Sequence, residues 1–228
     1  MGFAYLPSLQ HNFKYGKMKK ISIVVATLLL LGSNLFAQTE NEKTAFTYGE
    51  FRGGYGVNSF GEGLKEKYDA GNFSTSGGGL ASLALYRKFE KINYFNFGIK
   101  YKSLGGAPAE GDNGQEMFFN YWGAAVSTKC FPLDRTAQKG IYLQADYFFV
   151  TQFTQKYRNT ANLEFNHQFA IGNGVAFGLG YDFPIGAGRT MLTIGLEYET
   201  DSRRGEVSGI GDKTFKSSNF GILAGIKF

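Results

Sequence analysis

Cysteine, tryptophan and histidine are almost missing: the 228 residues hold one Cys, one Trp and two His. Cys130 has no partner, so an internal disulfide is excluded. No cysteine follows the apolar segment near the start, which removes a lipid-anchored N-terminus. One histidine, His11, precedes that segment and leaves His167 as the sole imidazole of the remainder. Catalysis through a histidine base therefore has one candidate at most. Long hydrophobic runs are absent as well. Past residue 37 nothing approaches the ~20 apolar residues that a spanning helix needs, so a helical membrane protein is excluded.

Excess charge disappears on closer reading. The formal charge is +5, but Lys14, Lys17, Lys19 and Lys20 lie in a segment with no acid. Met18-Lys19-Lys20, the apolar run Ile21–Leu31 and the following GSNLFAQ form a basic region, an apolar core and a small-residue cleavage site. These features predict an upstream extension over 1–17, a cleaved export signal over 18–37 with the cut after Ala37, and a mature domain over 38–228. Loss of those four of the 24 basic residues leaves 20 against 19 acidic ones, near neutrality. A nucleic-acid partner has no electrostatic support.

Glycine and aromatics are abundant: 32 Gly, 23 Phe and 14 Tyr. From Thr44 onward they alternate at period two, the signature of half-buried strands. Phe95, Phe97, Ile99 and Tyr101 share one face, and Asn96, Gly98, Lys100 and Lys102 the other. Ile141, Leu143, Ala145, Tyr147 and Phe149 oppose Tyr142, Gln144, Asp146 and Gln152. Val175, Phe177, Leu179, Tyr181 and Phe183 oppose Gly174, Ala176, Gly178, Gly180 and Asp182. Leu192, Ile194, Leu196 and Tyr198 oppose Thr193, Gly195, Glu197 and Glu199. The last stretch, NFGILAGIKF, sets Phe220, Ile222, Ala224, Ile226 and Phe228 against Asn219, Gly221, Leu223, Gly225 and Lys227. Three further stretches alternate less cleanly. In the first of them Phe46 and Tyr48 fall on the face of Glu50 and Arg52.

The connections alternate in length. Residues 60–76, 104–115, 155–167 and 202–215 read as long polar loops, whereas 87–93, 131–139 and 185–189 read as short turns. Eight antiparallel strands with long loops at one end and short turns at the other predict an all-β, up-and-down transmembrane barrel. The polar face decides which side meets lipid. It mixes Gly and Ala with Glu50, Arg52, Lys100, Lys102, Asp146, Asp182, Glu197, Glu199 and Lys227. Small residues alternating with a few long charged ones suit the narrow lumen of an eight-stranded barrel, where opposite charges must pair. The alternative is a soluble lipocalin-like barrel, which would turn the apolar face inward to bind lipid.

The segment Asn219-Phe220-Gly221 followed by alternating apolar positions to Phe228 resembles the sorting signal of bacterial outer-membrane barrels. Residues 44–228 as a whole resemble the small eight-stranded barrels related to OmpX and to the OmpA transmembrane domain. They are similar in particular to the outer-membrane β-barrel domain proteins of Bacteroidota, which share the LFAQ cleavage style. The resemblance implies a cell outer-membrane location, contact with outer-membrane lipid, and biogenesis through periplasmic chaperones and the barrel-assembly machinery. Asn219, Gly221, Ile226 and Phe228 would carry the sorting signal. It implies a structural or surface-interaction role through the loops, with a small-solute channel or transporter as the alternative.

Chemistry finds little purchase. Barrels that deacylate lipid A resemble one another in a His followed two places on by Ser, but here Phe169 follows His167. The acids Glu62, Glu66 and Asp69 in one loop, and Glu110, Asp112 and Glu116 in the next, match no twelve-residue calcium loop. Gly172-Asn173-Gly174 lies within a strand, so it is no nucleotide loop. No enzyme activity, cofactor or metal is expected.

Overall fold

The computed structural model describes residues 46–61, 77–88, 94–106, 109–110, 116–134, 138–158, 166–186, 189–207 and 211–228. Eight long strands carry the fold: β1 (Phe46–Phe60), β2 (Gly77–Lys88), β3 (Phe95–Gly106), β4 (Glu116–Cys130), β5 (Gly140–Arg158), β6 (Asn166–Pro184), β7 (Met191–Val207) and β8 (Gly211–Lys227). A two-residue strand, Ala109–Glu110, lies against Met117 and Glu116 of β4. Each long strand pairs antiparallel with its sequence neighbour, β3 with β4 included. Then β8 returns to β1, from Glu50↔Lys227 to Phe60↔Ser217, and the sheet has closed into a barrel. Closure leaves no open strand edge among the eight long strands, whose unpaired backbone groups would be costly against hydrocarbon.

Because successive Cβ atoms point to opposite faces, closure turns one face of every strand outward. That face is apolar. Phe97 is 40% exposed, Phe177 63%, Leu196 45% and Ile226 48%. A soluble lipocalin-like barrel would have buried these four around a shared interior; they point outward instead, so the lipocalin-like alternative does not hold. The interior is polar instead, with all nine of the charged residues singled out on the inner face no more than 4% exposed.

Two departures from strict alternation have local causes. In β5 the ladder to β4 shifts between Ala124 and Ala125, and the ladder to β6 shifts between Phe148 and Thr151. The bulge at Phe149–Val150 reverses the phase. Below it Tyr142, Gln144, Asp146 and Phe148 face inward; above it Thr151 and Phe153 do. Gln152, which unbroken alternation assigned to the inner face, falls in register with the outward Trp122 and Ile171 beside the bulge, yet is only 7% exposed. In β1, Phe46 and Tyr48 do belong inside: Tyr48 is 2% exposed and stacks on Tyr86 with ring centroids 5.3 Å apart.

The loops at the open end are shorter than expected. The segment 202–215 is mostly strand, since β7 runs to Val207 and β8 begins at Gly211. The segment 155–167 is likewise shortened by β5 reaching Arg158 and β6 starting at Asn166. Above the apolar belt neither face has to be buried, so the period-two signal fades while backbone pairing continues. Part of the barrel wall, from β5 to β8, thus rises past the belt. The predicted extension over 1–17 and signal over 18–37 lie outside the described residues, as do Glu62, Glu66, Asp69 and Asp112.

Candidate functional site: the charged interior

Every strand contributes to the interior at every second residue, and the residues alternate between small and long. Gly180 and Gly195 flank the Tyr142 hydroxyl closely. A Cβ at Gly195 would lie 2.3 Å from it, so the ring can cross the lumen only because those positions are glycine. Around such small residues the long side chains form one ladder along the barrel axis.

The ladder starts at the short-turn end. Lys227 Nζ lies 3.3 Å from Asp182, and Lys129 Nζ is 3.0 Å from Asp182 and 2.6 Å from Glu50. Glu50 Oε1 then meets Arg52 Nε at 2.9 Å, an ion pair whose N–H does not point along the line of centres. Arg52 donates from Nη2 to Gln144 Oε1 at 3.0 Å and from Nη1 to the Tyr142 hydroxyl at 3.3 Å; Glu197 lies 3.7 Å away. Lys100 donates to Asp146 at 2.7 Å and also to Glu197. Lys102 donates to Glu197 at 2.7 Å and to Glu199 at 2.6 Å. Finally the Tyr121 hydroxyl donates to Glu199, while Arg203 pairs with Asp201 at 2.6 Å and donates to Thr151 and Ser217.

Acids and bases in this ladder are equal in number: Glu50, Asp146, Asp182, Glu197, Glu199 and Asp201 against Arg52, Lys100, Lys102, Lys129, Arg203 and Lys227. A buried charge without a partner is strongly unfavourable, and here each one has an opposite charge within 3.3 Å. Three members, Lys129, Asp201 and Arg203, are not among the residues the sequence singled out. Lys129 lies on the inner face of β4 and was recoverable from alternation. Arg203 and Asp201 lie above the belt, and Arg203 falls within a segment read as loop.

The short-turn end is corked. Phe131 is fully buried, with the ammonium groups of Lys227 and Lys129 at 4.9 and 5.5 Å from its ring centre. The Gln138 carbonyl accepts from Lys227 Nζ and ties that residue to the same end of the barrel. Toward the other end the interior keeps a cavity of about 10 Å³ between Asn58, Tyr121, Asp201, Arg203 and Asn219, room for about one water.

The proposed sorting residues divide between the faces. Asn219 and Gly221 point inward, and Asn219 Nδ2 donates to Asn58 Oδ1 at 3.0 Å. Ile226 and Phe228 point outward, 48% and 61% exposed. Phe228 exchanges both backbone hydrogen bonds with Gly49 at 2.9 Å, and its ring covers that glycine. His167 sits in register with Lys156, and Glu116 with Glu110 and Arg158. Among the described residues no three His, Cys, Asp or Glu side chains are grouped to hold a metal.

No family model matches the sequence, and no curated protein matches it. Among solved structures, the chain is similar to Ail, the attachment invasion locus protein of Yersinia pestis, in complex with the heparin analogue sucrose octasulfate. There the identity is 11% and the TM-score 0.49, over 80% of this chain and 99% of that one. Neisserial surface protein A is 13% identical with a TM-score of 0.48, over 80% and 97% of the two chains. OprG of Pseudomonas aeruginosa is 10% identical with a TM-score of 0.40, over 79% and 95%. A closed barrel with an apolar outer wall and a charge-filled interior is the architecture of a β-barrel that spans a bacterial outer membrane.

Proposed function

We propose that this outer-membrane barrel is a closed scaffold whose loop-bearing end makes contacts outside the cell. The filled interior carries the reading. An ion-pair ladder and a buried Phe131 occupy the axis, and the cavity between them and the rim is about 10 Å³, too small for a solute. Eight strands enclose an interior just wide enough for side chains, so transport would require the ladder to come apart. What remains for function is the raised wall of β5–β8 and the connections around it. No step of a reaction is assigned to any residue.

Planar-bilayer recordings separate this reading from its alternative. The scaffold reading expects no stepwise conductance from the inserted protein; stable unitary steps would replace it with a small-solute channel. Labelling of intact cells at a cysteine placed in 62–76 or 159–165, with none at 135–137, is expected for loops that face outward. For biogenesis, we assign Asn219, Gly221, Ile226 and Phe228 to recognition by the assembly machinery. Phe228→Ala should then lower outer-membrane yield in cells more than it lowers folding into pure lipid vesicles. Equal losses in both would make Phe228 a stability residue only.

A further inference from the structure

The outer wall changes character along β6, β7 and β8, and register shows where. One row of cross-strand neighbours is wholly apolar: Phe177, Tyr198, Phe220 and Val57. The next row toward the open end is Val175, Thr200, Ser218 and Ser59. After it come Asn173, Ser202 and Lys216 in direct register, then Ile171, Arg204 and Thr214. Asn173, Thr200, Ser202 and Lys216 are all exposed. Together with Gly174 and Asp201 they line a groove of about 330 Å³ floored by Tyr147 and Val175; the Asp201 carboxylate is buried and paired with Arg203 at 2.6 Å. The bulge of β5 borders it, since Phe148 pairs with Gly174 and the next pair is Thr151 with Gly172, leaving Asn173 beside the two bulged residues.

Polar groups on a lipid-facing wall are costly within hydrocarbon and tolerated at its edge. These rows therefore mark the outer boundary of the membrane, with aromatic rings immediately below, where head groups lie. The groove offers an amide, two hydroxyls and an ammonium, with a guanidinium one row higher. The rows of Thr200 and Ser202 hold no acid; Glu206 and Asp212 are in register one row beyond Arg204, and Asp212 holds Arg204 at 3.4 Å. Exposed donors above an apolar floor, with the lining carboxylate of Asp201 already paired with Arg203, fit an anionic amphiphile whose head group carries phosphate and sugar hydroxyls.

We propose that this groove binds the phosphorylated head group of an outer-leaflet glycolipid. Lys216 and Arg204 take phosphate oxygens, Asn173, Thr200 and Ser202 bond the remaining phosphate and sugar oxygens, and Tyr147 and Val175 receive the top of an acyl chain. The assignment rests on the outer-membrane reading above.

The full barrel is folded into phosphatidylcholine vesicles carrying a minor fraction of diphosphoryl lipid A, its dephosphorylated form, or phosphatidylglycerol. Lipid co-purifying with the protein is then quantified. Wild type should retain diphosphoryl lipid A roughly tenfold over the dephosphorylated form. The pair Lys216→Gln with Arg204→Gln should abolish that preference, whereas Asp212→Asn, which frees Arg204, should raise it. Heat-modifiable gel mobility reports folding of each variant separately. Equal retention of the two lipid A forms by a folded wild type, or an unchanged preference in the folded double variant, overturns the site and leaves the membrane reading standing. Retention of phosphatidylglycerol equal to that of diphosphoryl lipid A overturns the glycolipid assignment. Failure of wild type to insert in any vesicle overturns both.

Discussion

At the scale of single residues, the interior is held by charges that cannot be removed one at a time. Lys102 is fully buried between Glu197 and Glu199. Lys102→Met leaves two acids sharing fewer positive partners, and breaking a buried pair costs about 3–5 kcal/mol. Urea-induced unfolding in lipid vesicles should show that loss, and adding Glu199→Gln should restore part of it. By contrast, the Arg204–Asp212 pair is 76% and 58% exposed and should contribute less than about 1 kcal/mol. High salt should erase that small contribution and leave the interior ladder almost unaffected, because screening acts weakly on buried pairs. Glycines differ in the same way. A Cβ at Gly172 would lie 1.9 Å from the Ser202 carbonyl oxygen, whereas one at Gly79 meets nothing. Gly172→Ala should therefore destabilise by at least about 1–3 kcal/mol while Gly79→Ala stays within about 0.5 kcal/mol, measured in the same unfolding assay.

At the scale of elements, the bulge in β5 decides which residues see the lumen. Deleting Val150 would remove the extra residue and set Thr151 and Phe153 two and four places after Phe148, so unbroken alternation would keep both inward, with the Arg203–Thr151 bond and the ring beside the Arg203 guanidinium retained. The expected outcome is a barrel that keeps its heat-modifiable compact form and its urea midpoint; a midpoint shifted to lower urea would show that the bulge itself stabilises the fold. The bulge also marks the limit of sequence reading. Alternation in β5 was legible from Ile141 to Phe149, where apolar and polar residues separate cleanly. Beyond it the run Val150-Thr151-Gln152-Phe153 fits either phase, and only pairing with Gly172 and Gly174 fixes one. Strand lengths failed for a related reason: Ser202–Val207 and Gly211–Lys216 are polar on both faces, so composition resembled loop while the backbones still pair.

At the scale of the molecule, exterior and interior are matched to different solvents. An apolar wall requires a non-aqueous surrounding, and a charge-balanced interior requires enclosure. The folded protein should accordingly fractionate with outer membranes, run faster on gels when unheated than when boiled, and insert without conducting. A conducting form is expected only where the ladder is opened at several points at once. Triple neutralisation of Lys100, Lys102 and Glu197 with folding retained is the variant in which conductance would first be sought; silence there would place the barrier at Phe131 instead.

Alternation along the chain by itself determined the all-β class, the eight strands and the composition of each face, because side-chain direction in a strand has a period of two whatever the strand packs against. It also placed nine charged residues on one face. Tertiary structure alone decided which ions pair, since partners such as Lys102 and Glu199 are 97 positions apart and meet only through barrel closure. It likewise fixed the phase beyond the bulge, the burial of Phe131 beneath the axis, and the row of Asn173, Ser202 and Lys216 on the outer wall. Those depend on cross-strand register, a relation between distant segments that no local pattern encodes.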